Sequence, residues 1–185
     1  YKGLYLRLQE ALDGLVARDK AVRAEFTARQ IETAHFAKKL LGQIVFLYFL
    51  QKKGWLGVQP GAAWGTGPKD FLRGLFDQRW GDYTNFFNEQ LEPLFYAALA
   101  RKRDDDLYDL LGCQIPFLNG GLFEPLHGYD WQTVDILLDN ELFGAIFDTF
   151  DLYNFTVREN EPLEKEVAVD PEMLGKVFEN LLEVT

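Results

Sequence analysis

The chain has 185 residues, 48% of them hydrophobic and 15% aromatic, which is enough to fill one sizeable core and excludes a disordered tail. Its formal charge of −10 opposes unspecific binding to polyanions, yet residues 1–60 hold ten Lys/Arg against five Asp/Glu, so any DNA contact is expected in the first third. Cys113 is the single cysteine, which rules out an intrachain disulfide and suits a reducing cytoplasm, and no apolar run approaches the ~20 residues needed to cross a bilayer.

Leu4, Leu8, Leu12, Leu15 and Val16 recur at helical spacing and predict an amphipathic helix from about Tyr5 to Val22. Thr27-Ala28-Arg29-Gln30 reads as a capping box, with Phe26 and Ile31 as a hydrophobic staple. A long helix from Thr27 to Lys53 follows, apolar nearly all round between Leu40 and Leu50, and is expected to be the central helix of the domain. Trp55 to Gly67, with four glycines and two tryptophans, reads as a loop pinned by aromatic anchors.

Pro68 suits the start of a short helix to about Arg79. Asp82 or Thr84 can open the next, whose face is Phe87, Leu91, Leu94, Phe95 and Leu99; Pro93 inside it predicts a kink or a division. Asp104 to Leu111 is expected to add a short helix. From Gln114 to His127 the helical period lapses, and Asn119-Gly120 predicts a turn in an ordered loop or hairpin. Asn140 is expected to cap a helix that buries Leu142, Phe143, Ile146, Phe147 and Phe150. Residues 155–157 and 167–169 can pair as a small ribbon before a last helix opened by Asp170-Pro171. The expected fold is mainly α: one irregular multi-helix domain over residues 1–185, with a long buried central helix and a minor β element. The last helix lacks a stop signal, so the chain reads as a segment that precedes a further domain.

Few residue patterns suggest chemistry. His35 and His127 sit in no ligand spacing, and Asp104-Asp105-Asp106 beside Arg101-Lys102-Arg103 reads as a solvated charge cluster, so no metal site is expected. No lysine follows an Asp or Glu by two positions, so the acidic-x-Lys signature of Mg²⁺-dependent nucleases is absent from these residues. Gly65-Thr66-Gly67 follows a helix and a tryptophan-rich loop, whereas a dinucleotide fingerprint follows a strand. The loop Asn119, Gly120, Gly121, Phe123 and Glu124 is the candidate for a contact with another domain. Lys52, Lys53, Arg101, Lys102 and Arg103 are the candidate DNA-phosphate contacts.

Four blocks carry a resemblance. The runs Phe46-Leu47-Tyr48-Phe49-Leu50-Gln51-Lys52-Lys53-Gly54-Trp55-Leu56-Gly57, Pro116-Phe117-Leu118-Asn119-Gly120-Gly121-Leu122-Phe123-Glu124, Tyr153-Asn154-Phe155-Thr156-Val157 and Asp170-Pro171-Glu172-Met173-Leu174-Gly175 occur in that order. Together they resemble the segment preceding the catalytic domain of large bacterial adenine-specific DNA methyltransferases, type IIG-like proteins of restriction-modification and phage-defence systems. The family's Thr-Gly-x-x-Tyr-Thr-Pro stretch, its S-adenosylmethionine site and its Asn-Pro-Pro-Tyr motif are all missing here. The resemblance therefore implies a non-catalytic helical connector with no cofactor of its own, packing against a downstream S-adenosylmethionine-dependent domain and reaching DNA through the parent protein. Mg²⁺ would enter only with an attached nuclease. Two other classes stay open: an autonomous defence adaptor that binds another protein, and a hydrolase built on carboxylates such as Glu124 and Asp130.

Overall fold

A computed structural model describes residues 1–118 and 120–153. The expected ribbon over 155–169, the helix after Asp170 and Asn119 itself lie outside those residues. Five α-helices are described: α1 (Lys2–Arg18), α2 (Lys20–Ala28), α3 (Thr33–Lys52), α4 (Phe71–Phe76) and α5 (Asn140–Phe150). A hairpin with two residues in each strand joins β1 (Leu107–Tyr108) to β2 (Cys113–Gln114), pairing Leu107 with Gln114 and Tyr108 with Cys113. The protein is mainly helical, as its periodicity predicts.

One predicted helix is two in the structure. The apolar stripe of α1, buried at Leu4, Leu8, Leu12 and Leu15, ends at Arg18, and Asp19 opens α2 by accepting the N–H groups of Ala21 (3.0 Å) and Val22 (3.1 Å). A carboxylate there satisfies two backbone donors that would otherwise have no partner in the helix, so the break costs little. Arg23 in turn donates to the carbonyl of Ala17 at the exposed end of α1 (2.9 Å).

The Thr27 cap does not form, because Thr27 lies inside α2. Gln30 instead adopts φ +56° and donates to Thr27, while Ile31 donates to Phe26 (2.8 Å), which closes α2 with a Schellman turn. The expected Phe26–Ile31 pair thus ends one helix rather than starting the next. The sequence hid this because a glutamine takes the left-handed position usually given to glycine.

α3 is the central helix, buried from Phe36 through Gln51 on most faces and contacted by α1 and α4. Rings gather around it in one connected set: Phe36 meets Phe26 (5.5 Å) and Tyr129 (5.5 Å), Phe87 stacks on Phe143 (5.8 Å), and Phe86 joins Phe76, Phe143 and Phe147. Such pairs add about 0.5–1.5 kcal/mol each beyond the burial of their area.

Pro93 lies between two π-helical stretches, Phe87–Leu91 and Leu94–Leu99, so the expected division takes the form of widened turns rather than a break. Their start is capped by Asn85, whose side chain accepts from Asn88 N–H (2.9 Å), not by Asp82 or Thr84. Asn140 does not cap α5; Asp139 occupies that position, and Asn140 bridges to the π-helical stretch by accepting from Phe86 N–H (2.8 Å) and donating to the carbonyl of Thr84 (3.0 Å). The short helix after Pro68 begins at Phe71. The helix expected over 104–111 is a single 3₁₀ turn followed by the hairpin, since Asp105 and Asp106 both take φ +55°. Residues 115–118 and 120–125 form an irregular loop without a ladder of their own.

Gly54 ends α3 in the left-handed conformation (φ +73°), and its carbonyl accepts from Gly65 (3.1 Å) and Gly67 (2.9 Å). A Cβ there would stand 2.2 Å from the Gly65 carbonyl oxygen, while one at Gly61 (φ +81°) would meet nothing within 4 Å. Gly61→Ala is therefore expected to cost about 1 kcal/mol for the left-handed backbone alone. Gly54→Ala should cost about 2–4 kcal/mol, because the loop must also part from the helix end. Urea denaturation of both variants measures the difference; equal costs would disprove the close approach.

Candidate functional site

The loop that follows β2 is held by two side chains of α3. Lys39 Nζ donates to the Glu124 carbonyl (2.7 Å) and Gln43 Nε2 to the Leu122 carbonyl (2.9 Å). Leu118 N–H adds a bond to the Leu99 carbonyl (2.8 Å). Burial lowers the Lys39 pKa, and the Glu124 charge works against that shift. Phe123 is buried between Phe46 (5.7 Å) and Phe95 (5.5 Å), so it anchors the loop instead of facing a partner. Gly120 (φ +113°), Gly121 (φ +68°) and Glu124 are exposed, and they form the accessible part of the candidate contact loop.

The basic cluster divides in the same way. Arg101 and Lys102 are exposed, but the Arg103 guanidinium donates to the carbonyls of Ala98 (2.9 Å), Leu107 (3.0 Å) and Ile115 (2.8 Å) and lies over the Tyr108 ring (5.9 Å). Burial lowers its pKa, against the pull of Asp106 and Asp109. Arg103 thus ties the end of the second π-helical stretch to the hairpin through both terminal nitrogens of its guanidinium, while its buried Nε has no protein partner.

Lys52 and Lys53 are half-buried at the end of α3. Beside them, α3, α4 and the end of α5 enclose a cleft of about 540 Å³ lined by Tyr48, Gln51, Lys52, Lys69, Asp70, Arg73, Phe150, Asp151 and Tyr153. Arg73 clamps α4 to α5 through Asp148 (2.9 Å) and Asp151 (2.8 Å), and Tyr48 donates to the other Asp151 oxygen (2.7 Å). Burial disfavours the Arg73 charge, but these carboxylates outweigh it and raise the pKa. Burial and Asp151 also raise the Tyr48 pKa, so the phenol remains a donor.

One ionisable group escaped the sequence reading. Glu92 is fully buried; its Oε2 accepts from Tyr129 Oη (2.8 Å), which also bonds Tyr96 Oη (2.8 Å), while Oε1 has no protein partner. Burial pushes the carboxyl up to about 9, the Tyr129 bond pulls the other way, and Asp135 adds to the rise. Glu92 is therefore protonated at neutral pH. A carboxylate directly before Pro93 in an apolar face was the available signal; the wider π turns, which a 3.6-residue period does not anticipate, set its direction. Glu124 and Asp130, the carboxylates considered for hydrolysis, are both exposed.

Gly65 and Gly67 serve the packing of the chain on itself: a Cβ at Gly67 would lie 2.2 Å from the Leu56 carbonyl, so the turn is filled by protein backbone. His35 is exposed beside Glu32, and His127 Nδ1 meets the Arg29 carbonyl (3.0 Å). Among the described residues no group of three His, Cys, Asp or Glu converges on a metal position, and no helix is long and apolar enough to cross a membrane.

Two outcomes test this geometry. Arg103→Ala should cost about 2–4 kcal/mol in urea unfolding, since three carbonyls lose a charged donor, whereas Arg101→Ala and Lys102→Ala should each change stability by under about 0.5 kcal/mol. The second concerns Glu92, whose pKa rises from 4.5 to about 9 on folding. Its stabilising contribution is complete below the unfolded value and declines as pH climbs through the folded one, by up to about 1.4 kcal/mol per pH unit. The stability of wild type relative to Glu92→Gln should therefore fall between about pH 5 and about pH 9, followed by thermal unfolding across that range. A constant difference would show that Glu92 titrates normally.

The comparisons with known proteins agree with a restriction-modification setting. The chain is 27% identical over 169 residues to a protein of Methanocaldococcus jannaschii described as a type II restriction enzyme and methyltransferase. The match covers 88% of this chain but 13% of that relative, so the chain corresponds to a small part of a much larger protein. No family profile and no solved structure matches it. The likeness supports a relation to restriction-modification enzymes.

Proposed function

We propose that the chain is a non-catalytic helical connector of a restriction-modification adenine-N6 DNA methyltransferase, packing against an S-adenosylmethionine-dependent catalytic domain that follows it. The observation that carries this reading is the match of 88% of the chain to 13% of a relative described as restriction enzyme and methyltransferase. In the parent reaction an adenine leaves the duplex stack and its exocyclic nitrogen takes a methyl group from the cofactor. The connector supplies a rigid body to that process. Its exposed Gly120-Gly121 turn and Glu124 backbone are held by Lys39 and Gln43, so a neighbouring domain meets a preset surface. Lys52, Lys53, Arg101 and Lys102 remain the proposed phosphate contacts, and the parent protein works in the cytoplasm.

Calorimetry with S-adenosylmethionine and an adenine-methylation assay test the proposal, each on this chain and on the longer protein through its next domain. Binding and methylation are expected only in the longer protein. Cofactor binding by this chain alone would overturn the assignment, and activity in neither would favour an autonomous protein-binding adaptor, for which the exposed Leu152 (86%) and Tyr153 (63%) offer apolar surface.

A further inference from the structure

We propose that the cleft between α3, α4 and α5 binds a single strand of nucleic acid, with phosphates on Lys69 and Lys52 and bases against Tyr153 and the neighbouring Trp64. The inference rests on the DNA-modification reading and adds a site and a strand preference to it. In a chain of net charge −10, the described residues that line this cleft include three cations, Lys52, Lys69 and Arg73, and two carboxylates. Both carboxylates are already engaged within the protein: Asp70 by Arg79 (2.8 Å), and Asp151 by Arg73 and Tyr48. Among the described residues Lys69 has no carboxylate within ion-pair distance, and its ammonium stands 3.5 Å from the Gly65 carbonyl. Lys53 adds a further cation at the end of the same helix.

Aromatic surface lies at the same place. Tyr153 lines the cleft and is 63% exposed, and Trp64, 44% exposed, directly precedes the Gly65 that rests on the α3 terminus. Aromatic faces beside lysines are the chemistry that holds unpaired bases, because every base presents a π-face and every nucleotide a phosphate. The cleft volume of about 540 Å³ suits one or two nucleotides and not a paired helix.

Fluorescence anisotropy of a labelled oligothymidylate of about ten nucleotides, within the usual single-strand site sizes, tests the site. The intact chain should bind it more tightly than a duplex of equal length, with a slope of log K against log salt of about −1.4 for the phosphates on Lys69 and Lys52. Lys52→Glu/Lys69→Glu should weaken binding at least about ten-fold and flatten that slope, and Trp64→Ala should weaken it about five-fold or more. Lys2→Glu/Lys20→Glu, two exposed lysines outside the cleft lining, should leave it unchanged, and circular dichroism checks that each variant is folded. Absence of binding, equal affinity for duplex, or full affinity in the Lys52/Lys69 variant would each overturn the proposal. Failure of the methyltransferase reading appears separately, as absent methylation by the longer protein.

Discussion

Everything in this fold answers to the burial of α3. From Leu40 to Leu50 this helix is apolar on nearly every side and cannot face water along any stripe, so covering it requires neighbours all round. α1 brings its four leucines, α2 and Tyr129 extend the ring cluster at Phe36, and α4 and α5 close the opposite end near Tyr48. Each large apolar side chain so covered contributes about 1.5–3 kcal/mol relative to exposure. The high aromatic content is spent largely on this shell, since Phe71, Phe86, Phe87, Phe95, Phe123, Phe143 and Phe147 are all fully buried.

A helix so enclosed needs its polar groups placed with care. Lys39 and Gln43 reach from its flank to the carbonyls of the 120–125 loop, and Gln51 accepts from Leu72 N–H (3.0 Å) inside the core. These polar side chains convert irregular backbone, which could not otherwise be buried, into part of the packed structure. The same logic explains Arg103, whose three carbonyl acceptors lie at the meeting of the second π-helical stretch and the hairpin. Glu92 departs from that logic, as do single polar atoms of Gln90, Arg103, Tyr108 and Gln114. The Glu92 carboxyl leaves one oxygen without a protein partner and remains buried because it can hold its proton.

This architecture also separates support from contact. The loop's ring, Phe123, points inward while its glycines and Glu124 face out, and Arg103 is consumed by backbone while Arg101 and Lys102 are not. The proposed connector role would use such a division: the inward half fixes position, and the outward half is available to a neighbour.

The sequence by itself determined the helical class, the central place of α3, the inward faces of α1 and α5, and the likeness to restriction-modification proteins, because apolar periodicity and composition are local properties of the chain. The candidate loop was legible too, since Gly120 and Gly121 allow a turn that few other residues tolerate. What the sequence did not reveal depends on partners remote in the chain. Gln30 takes a left-handed position without glycine, Asn140 bridges to Phe86 and Thr84 instead of capping its own helix, and the hairpin after Asp106 has only two residues per strand to announce it. The cleft needs α3, α4 and α5 at once, and the Glu92 network needs a tyrosine from beyond the hairpin. Packing alone could decide these, because burial and hydrogen-bond satisfaction are settled between elements and not within them.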